Sequence, residues 1–478
     1  MGRDQKPKVG LFAGGMEQYW TECGMDELPA ALEADVLRLR TSLGATCDVV
    51  YPRLAVTPAD ARDVGRIFRE QDVDLVLMVH ATYVDDSMTM ALLEETRGIY
   101  PVLFLSQGLP GLPERLSLIE AATCWGVNSA VQLPGGFQRL WGDFRFGFVF
   151  GHASDPRALR EIGAYASAAH AVRRLRQLKV GILPHRSASA PMFDTYPDEA
   201  RMIGQTGIRI EYLYVEDLVE CMRRVSDEDA RQLTDDLYAA CDVIEPSRDE
   251  VVLAARQALA LERLVRDKGV DALAIDMFPG LTRMCGMVPA LGMARLIDQG
   301  TVVASEGDLG VSVAGLIIRE VSGKPIHFWE HSMFDEPRNW ILGGHEGGSA
   351  GFSMARAGTR PRLRSTQYVD FGRTPGAPFH GVLPEFITQP GRVTLATLFR
   401  GESGYEMRLA RGESVDTPPR EVHYEHTIFQ PDSPLQEYFR RIASLGVCHH
   451  FALVHADLGS ELEKVAEILS MPVEWLTD

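Results

Sequence analysis

Short apolar runs alternate with amphipathic stretches through the first third of the chain. Lys8–Gly15, Cys47–Arg53, Val73–His80 and Pro101–Gln107 carry short runs of Val, Leu, Phe and Met, the mark of strands buried on both faces. Between them, Leu28–Leu43, Pro58–Glu70 and Asp86–Arg97 place apolar residues three and four apart, as helices with one buried face do. This rhythm predicts a parallel sheet covered by helices, closed by a helix over 156–178.

A second cycle of the same kind follows. Lys179–His185, Ile208–Val215, Val270–Met277 and Thr301–Asp308 read as strands. Helical stretches over 216–241, 248–267, 288–299 and 309–320 lie between and after them. Past Gly348 the period shortens to two: LRSTQYVDF, GRVTLATLF, YEMRLARGES and REVHYEHTIF predict an antiparallel sheet or small barrel, then helices over 434–445 and 461–469. The expected division is an N-terminal α/β domain over 1–175, a central α/β domain over 176–322 and a β-rich domain over 323–478. A chain of 478 residues is too long for one core, in keeping with this division.

Charge and cysteine usage remove several function classes. A formal net charge of −18 argues against a nucleic-acid partner, whose phosphates require a basic face. The seven cysteines are odd in number and never spaced as CxxC, which disfavours a disulfide framework or zinc cluster. Neither a secretory signal nor an apolar run of about 18–20 residues is present, so a cytoplasmic protein without a membrane span is expected. The first strand ends in Gly14-Gly15 without a GxGxxG fingerprint, and no GxxxxGK[ST] occurs, so neither dinucleotide nor P-loop binding is supported.

The chemistry concentrates between Val302 and Gly348. One apolar run delivers Glu306 and Asp308, a second delivers Glu330, and Gly343-Gly344 delivers His345. Carboxylates at the ends of buried strands sit on the rim where open α/β folds bind ligands. Two acids and a histidine there suit a divalent cation or proton transfer between carbons. Each residue also has a plain structural role open to it. Glu306 could cap the following helix, Glu330 could pair with Arg338, and His345 could occupy a glycine turn. Polar residues also end strands of the first set (Gln18, His80, Tyr83, Gln107), as candidates to face a ligand.

Four segments in order, EGD (306–308), FWEH (328–331), GGH (343–345) and the HH pair of HHFALVHADL (449–458), resemble the L-arabinose isomerase and L-fucose isomerase superfamily. The arabinose isomerase segments read EGDW, FMED, GSH and AHHTVFSHAL. The separation of 24 residues between the two acids resembles the fucose isomerase pattern. LVLMVHATYVDDSM and PGRVTLATL extend the resemblance over most of the chain. It implies an L-fucose isomerase-like fold: two parallel-sheet, Rossmann-like or flavodoxin-like α/β domains and a mostly antiparallel C-terminal β domain.

The resemblance further implies that Glu306, Glu330, His345 and His450 ligate one divalent cation, with His449 just outside. Glu306 and Glu330 would double as acid–base pair in aldose–ketose isomerisation through a cis-enediol. Histidine among the ligands favours Mn²⁺ or Co²⁺ over Mg²⁺. A homo-trimer or homo-hexamer is implied, its active site completed by a neighbouring N-terminal domain, with Gln18, His80, Tyr83, Gln107 and His449 as substrate contacts. The turn after the first strand (Met16-Glu17-Gln18-Tyr19-Trp20) departs from the arabinose isomerase GSQHLYG turn, so the sugar is left unassigned. The competing readings are a metal-dependent lyase or epimerase on a related sugar, and a catalytically silent sugar-binding protein. The intact set of acids and histidines weighs against the second.

Overall fold

The computed structural model describes residues 6–183, 192–277, 280–345, 347–369 and 378–478. They fold as two compact units, Met1–Arg173 and Arg174–Asp478.

The first unit is built on a parallel sheet of β1 (Lys8–Gly14), β2 (Asp48–Val50), β3 (Leu54–Ala55), β4 (Leu75–His80), β5 (Tyr100–Leu105) and β6 (Gly147–Phe150). The order is β2-β1-β4-β5-β6, with β3 also beside β1. Leu75 to His80 are buried along all of β4, as the unbroken apolar run requires. The helix Pro58–Glu70 starts where Thr57 and Asp60 cap each other reciprocally. It packs so closely on β1 that a Cβ at Gly10 would lie 2.8 Å from the Phe68 ring.

The second unit begins with β7 (Lys179–Leu183), β8 (Arg209–Tyr212), β9 (Asp242–Val243), β10 (Ala272–Ile275), β11 (Met287–Val288) and β12 (Val302–Ser305). Four of these form a parallel sheet of order β12-β10-β7-β8. The Pro184-His185 end of the expected strand Lys179–His185 lies outside the described residues. The stretch 216–241, read above as one helix, is two, Val215–Arg224 and Asp227–Ala240. The Ser226 side chain accepts from the Asp229 N–H and starts a new helix there.

Next come β13 (His327–Asp335), β14 (Trp340–Gly344), β15 (Arg362–Val369), β16 (Pro378–Glu385), β17 (Gly391–Arg400), β18 (Tyr405–Ser414), β19 (His426–Pro431), β20 (Phe451–Val454) and β21 (Val473–Trp475). The path β17-β20-β13-β14-β19-β18 is antiparallel, and pairing of β17 with β18 joins its ends, so six strands form a closed ring. One face packs around Trp329, Phe429, Phe451 and Tyr438. β15 does not join this ring, although its alternation resembles that of its neighbours. It pairs with β16, and the two take in β9 and β11 as parallel partners. The reason is apolar: Leu363 and Val382 share a buried cluster with Leu237, Val251 and Met287. Among the described residues no helix is long and apolar enough to cross a membrane.

Candidate metal centre

Strand β12 is buried throughout and ends in a sharp turn. Glu306 and Gly307 both have left-handed backbones, with φ of +55° and +67°. A non-glycine residue held there carries strain on the order of 1 kcal/mol, which surrounding structure must offset and which gathers at functional sites. Asp308 then caps the helix Leu309–Ser322, its Oδ1 accepting from the Val311 N–H at 2.9 Å. The cap is therefore Asp308 and not Glu306.

Strand register supplies the remaining acid and two histidines. Glu330 stands opposite Gly344 on β14, and Trp329 stands opposite Phe451 on β20. His345 directly follows Gly344 and His450 directly precedes Phe451, so the two imidazoles flank Glu330 from neighbouring strands. A Cβ at Gly343 would fall 2.2 Å from the Trp329 ring and 2.4 Å from the Glu330 carbonyl oxygen, so only glycine lets these strands meet. Arg338 binds Asp335 at 2.5 Å, so the pairing of Arg338 with Glu330 weighed above is not formed.

The four side chains converge. Glu306 Oε1 lies 3.7 Å from His345 Nε2, and its Oε2 lies 3.6 Å from His450 Nε2. Glu330 Oε2 is 3.8 Å from His450 Nε2. The Phe328 ring backs both imidazoles, at centroid distances of 5.0 Å to His345 and 4.6 Å to His450. Glu330 is about one-third exposed (34%) whereas His450 is fully buried, so the cluster opens to solvent on its Glu330 side.

His450 is held in one tautomer. Its Nδ1 lies 3.0 Å from Asp308 Oδ2, and a carboxylate oxygen can only accept, so Nδ1 carries the proton and Nε2 presents a lone pair toward Glu306 and Glu330. Burial lowers the His450 pKa against the opposing pull of Asp308, which keeps the ring neutral at pH 7. Burial alone would raise the Glu306 carboxyl, but the nearby His345, His450 and His449 rings bring it down to about 2. Glu306 Oε2 and His450 Nε2 are both buried without a hydrogen-bond partner. Unpaired polar atoms facing one another inside a protein are costly unless something sits between them. Carboxylates and imidazoles gathered around the His450 ring have the donor chemistry of a divalent-cation site. Glu306, His345 and His450 offer ligand atoms within 4.8 Å of one another, as do Glu330, His449 and His450.

The other candidates are placed differently. His449 hydrogen-bonds Asp194 through its backbone N–H (2.9 Å) and through Nδ1 (2.5 Å), on the edge of the cluster. In the first unit, His80 is buried with Nδ1 on Ser129 Oγ (2.9 Å) and Nε2 on Thr89 Oγ1 (3.2 Å), so both ring nitrogens are engaged. Tyr83 donates to Gln132 at 2.9 Å, Gln107 donates to the Leu109 carbonyl at 2.8 Å, and Gln18 is exposed on a short helix. His80 and Gln107 line one small cavity with Asp35, Gly108, Thr123 and Ala153. Sequence reasoning gave no role to Asp194 or Cys448 and left Asp308 unassigned. Asp308 carried a signal, two residues past Glu306 at the head of an apolar helix. Asp194 carried none, because 255 residues separate it from His449.

Comparison with known proteins converges on the same segment. The L-arabinose isomerase central domain model matches residues 196–322, which include Glu306 and Asp308. These similarities support a place in the arabinose isomerase superfamily. The sulfoquinovose isomerase of Alkalicoccus urumqiensis is 22% identical over 450 residues, covering 92% of this chain and 95% of its own length. That of Priestia aryabhattai is 22% identical, with 84% of each chain covered. The L-arabinose isomerase of Anoxybacillus flavithermus is 24% identical over 70% of this chain and 69% of its own. The α/β sheets followed by a mostly antiparallel ring are consistent with an arabinose isomerase-like fold.

Proposed function

We propose that the chain is a metal-dependent aldose–ketose isomerase, acting on a free sugar through a cis-enediol(ate), with Glu306 and Glu330 as its acid–base pair. The observation that carries this reading is the pair of buried, partnerless atoms, Glu306 Oε2 and His450 Nε2, 3.6 Å apart beside Glu330 and His345. Glu306, Glu330, His345 and His450 would hold the cation, Mn²⁺ in the first instance, with Co²⁺ or Mg²⁺ as substitutes. When bound, such a cation would polarise the substrate carbonyl and stabilise the negative charge that develops on oxygen.

The side chains supply the proton transfers. One of the two glutamates takes the proton from carbon and returns it to the adjacent carbon, and the other moves the hydroxyl proton. The low pKa of Glu306 keeps it ready to accept. His449, anchored through Nδ1 by Asp194, presents its other nitrogen to substrate. The reaction moves hydrogen within one molecule, so it needs no external oxidant or reductant. Gln18, Tyr83 and Gln107 are proposed to serve a neighbouring copy's site in a homo-trimer or homo-hexamer, in the cytoplasm.

The relatives matched over 92% and 84% of the chain are named sulfoquinovose isomerases, so sulfoquinovose heads the substrate panel. The test is turnover of that panel, including L-arabinose and L-fucose, by EDTA-treated protein with and without Mn²⁺, read by NMR in D₂O. Metal-dependent interconversion with deuterium entering at C1 or C2 is expected. Mn²⁺ binding without turnover of any sugar would favour the lyase or epimerase chemistry. Failure to bind Mn²⁺ would remove the cation site, and with it the proposal.

A further inference from the structure

A second set of donors lies directly behind the first. Asp308 Oδ2 accepts from His450 Nδ1 at 3.0 Å and from the Cys448 thiol at 3.3 Å. Asp308, Cys448 and His450 are all buried, at 1%, 1% and 0% exposure, with their ligand atoms within 4.8 Å of one another. The fully buried Thr397 hydroxyl lies beside the thiol. Metal–ligand bonds of about 2.0–2.3 Å at tetrahedral angles set ligand atoms about 3.3–3.6 Å apart, close to the spacings already present.

We propose that Asp308, Cys448 and His450 form an inner binding site for a thiophilic divalent cation, Zn²⁺ in particular, whose occupancy competes with the outer site through the shared imidazole. Charge favours this set. One carboxylate and one thiolate neutralise a divalent ion, and sulfur selects Zn²⁺ over Mn²⁺ or Mg²⁺. The proton balance is simple. The thiol proton leaves to solvent, and the imidazole proton moves from Nδ1 to Nε2 as Nδ1 takes the ion. Nε2 then becomes a donor aimed at Glu306 and Glu330, at 3.6 and 3.8 Å, and has no lone pair left for the outer cation. Zinc at the inner site is therefore an inhibitor of the outer one. This consequence for turnover rests on the isomerase reading, whereas the binding site does not. Alanine stands at the Cys448 position in the arabinose isomerase segment AHHT, so the sulfur donor is a departure from that segment.

The test is to load the full chain with Co²⁺ and record its absorption. The expected result is a near-ultraviolet thiolate-to-cobalt charge-transfer band that disappears in Cys448→Ala and Cys448→Ser. The second variant is nearly isosteric and guards against a folding defect in the first. In the same variants the Zn²⁺ concentration that halves each protein's own Mn²⁺-supported rate should rise at least about 10-fold. A cobalt spectrum with ligand-field bands but no sulfur band would overturn the inner site and leave the outer one standing. No cobalt binding at all would overturn both.

Discussion

Two buried histidines end up in opposite conditions. His80, at the end of β4 in the first unit, gives one nitrogen to Ser129 and the other to Thr89. His450, just before β20 in the second, gives one nitrogen to Asp308 and leaves the other without a partner. Hydroxyls can donate or accept, so His80 closes its account locally whichever tautomer it adopts. A carboxylate only accepts, so Asp308 dictates the His450 tautomer and turns the remaining lone pair toward Glu306. Burial is the same in both; what separates a structural histidine from a reactive one is the nitrogen that the fold leaves unsatisfied.

The largest test of this contrast removes a carboxylate from the outer set. Glu306→Gln should lower turnover at least about 100-fold and reduce Mn²⁺ content, measured by steady-state kinetics and elemental analysis. Turnover near wild type would break the assignment. His80→Ala should do the converse, opening a buried cavity and removing the imidazole that bonds Thr89 and Ser129, at a cost of about 2–4 kcal/mol in urea unfolding while metal content holds. Asp308→Asn releases the His450 tautomer and should weaken Mn²⁺ affinity about 10–100-fold by calorimetry.

A smaller effect concerns pH. Burial holds His80 neutral down to about 4, whereas the unfolded chain protonates near 6.5. The unfolded state then binds more protons, so stability falls as pH drops from about 6.5 toward about 4. His331 and His455, also brought down to about 4 chiefly by burial, act in the same direction. Glu306, depressed to about 2, contributes stability that is present above about 4.5 and lost only as pH falls toward about 2. Unfolding midpoints across pH 4–7 should therefore show a shallower slope in His80→Gln than in wild type, and an unchanged slope in Glu306→Gln. The smallest expected effect is Arg338→Ala. That side chain pairs with exposed Asp335 and not with Glu330, so stability should shift by less than about 0.5 kcal/mol and turnover should hold.

Much of the frame was legible because its signals are local. Leu28–Leu43 and Pro58–Glu70 occupy their expected residues, since periodicity and the Thr57–Asp60 cap act within a few positions. Continuous apolar runs marked β1, β4 and β5 for the same reason. The 216–241 stretch misled because apolar spacing continues across Ser226 while the backbone restarts there. β15 misled because alternation identifies a strand but not its partners, and its edge was claimed by the two-residue strand β9 more than a hundred positions away.

Residue types and order along the chain established by themselves that two acids and a pair of histidines lie beside apolar runs, in segments resembling one superfamily, although Glu330 proves to stand within β13 and not at its end. They also established the alternation that makes the α/β units and the β-rich remainder. Only the tertiary structure decided which of those groups meet. Register across β13, β14 and β20 sets His345 and His450 beside Glu330, and the left-handed turn at Glu306 brings in the fourth side chain. It also decided that Asp308 rather than Glu306 caps the helix, that Asp194 anchors His449, and that a cysteine lies behind the cluster. Hydrogen bonds and ligand sets depend on distances of 3–4 Å between groups hundreds of residues apart, and chain spacing carries no information about those distances until the strands are paired.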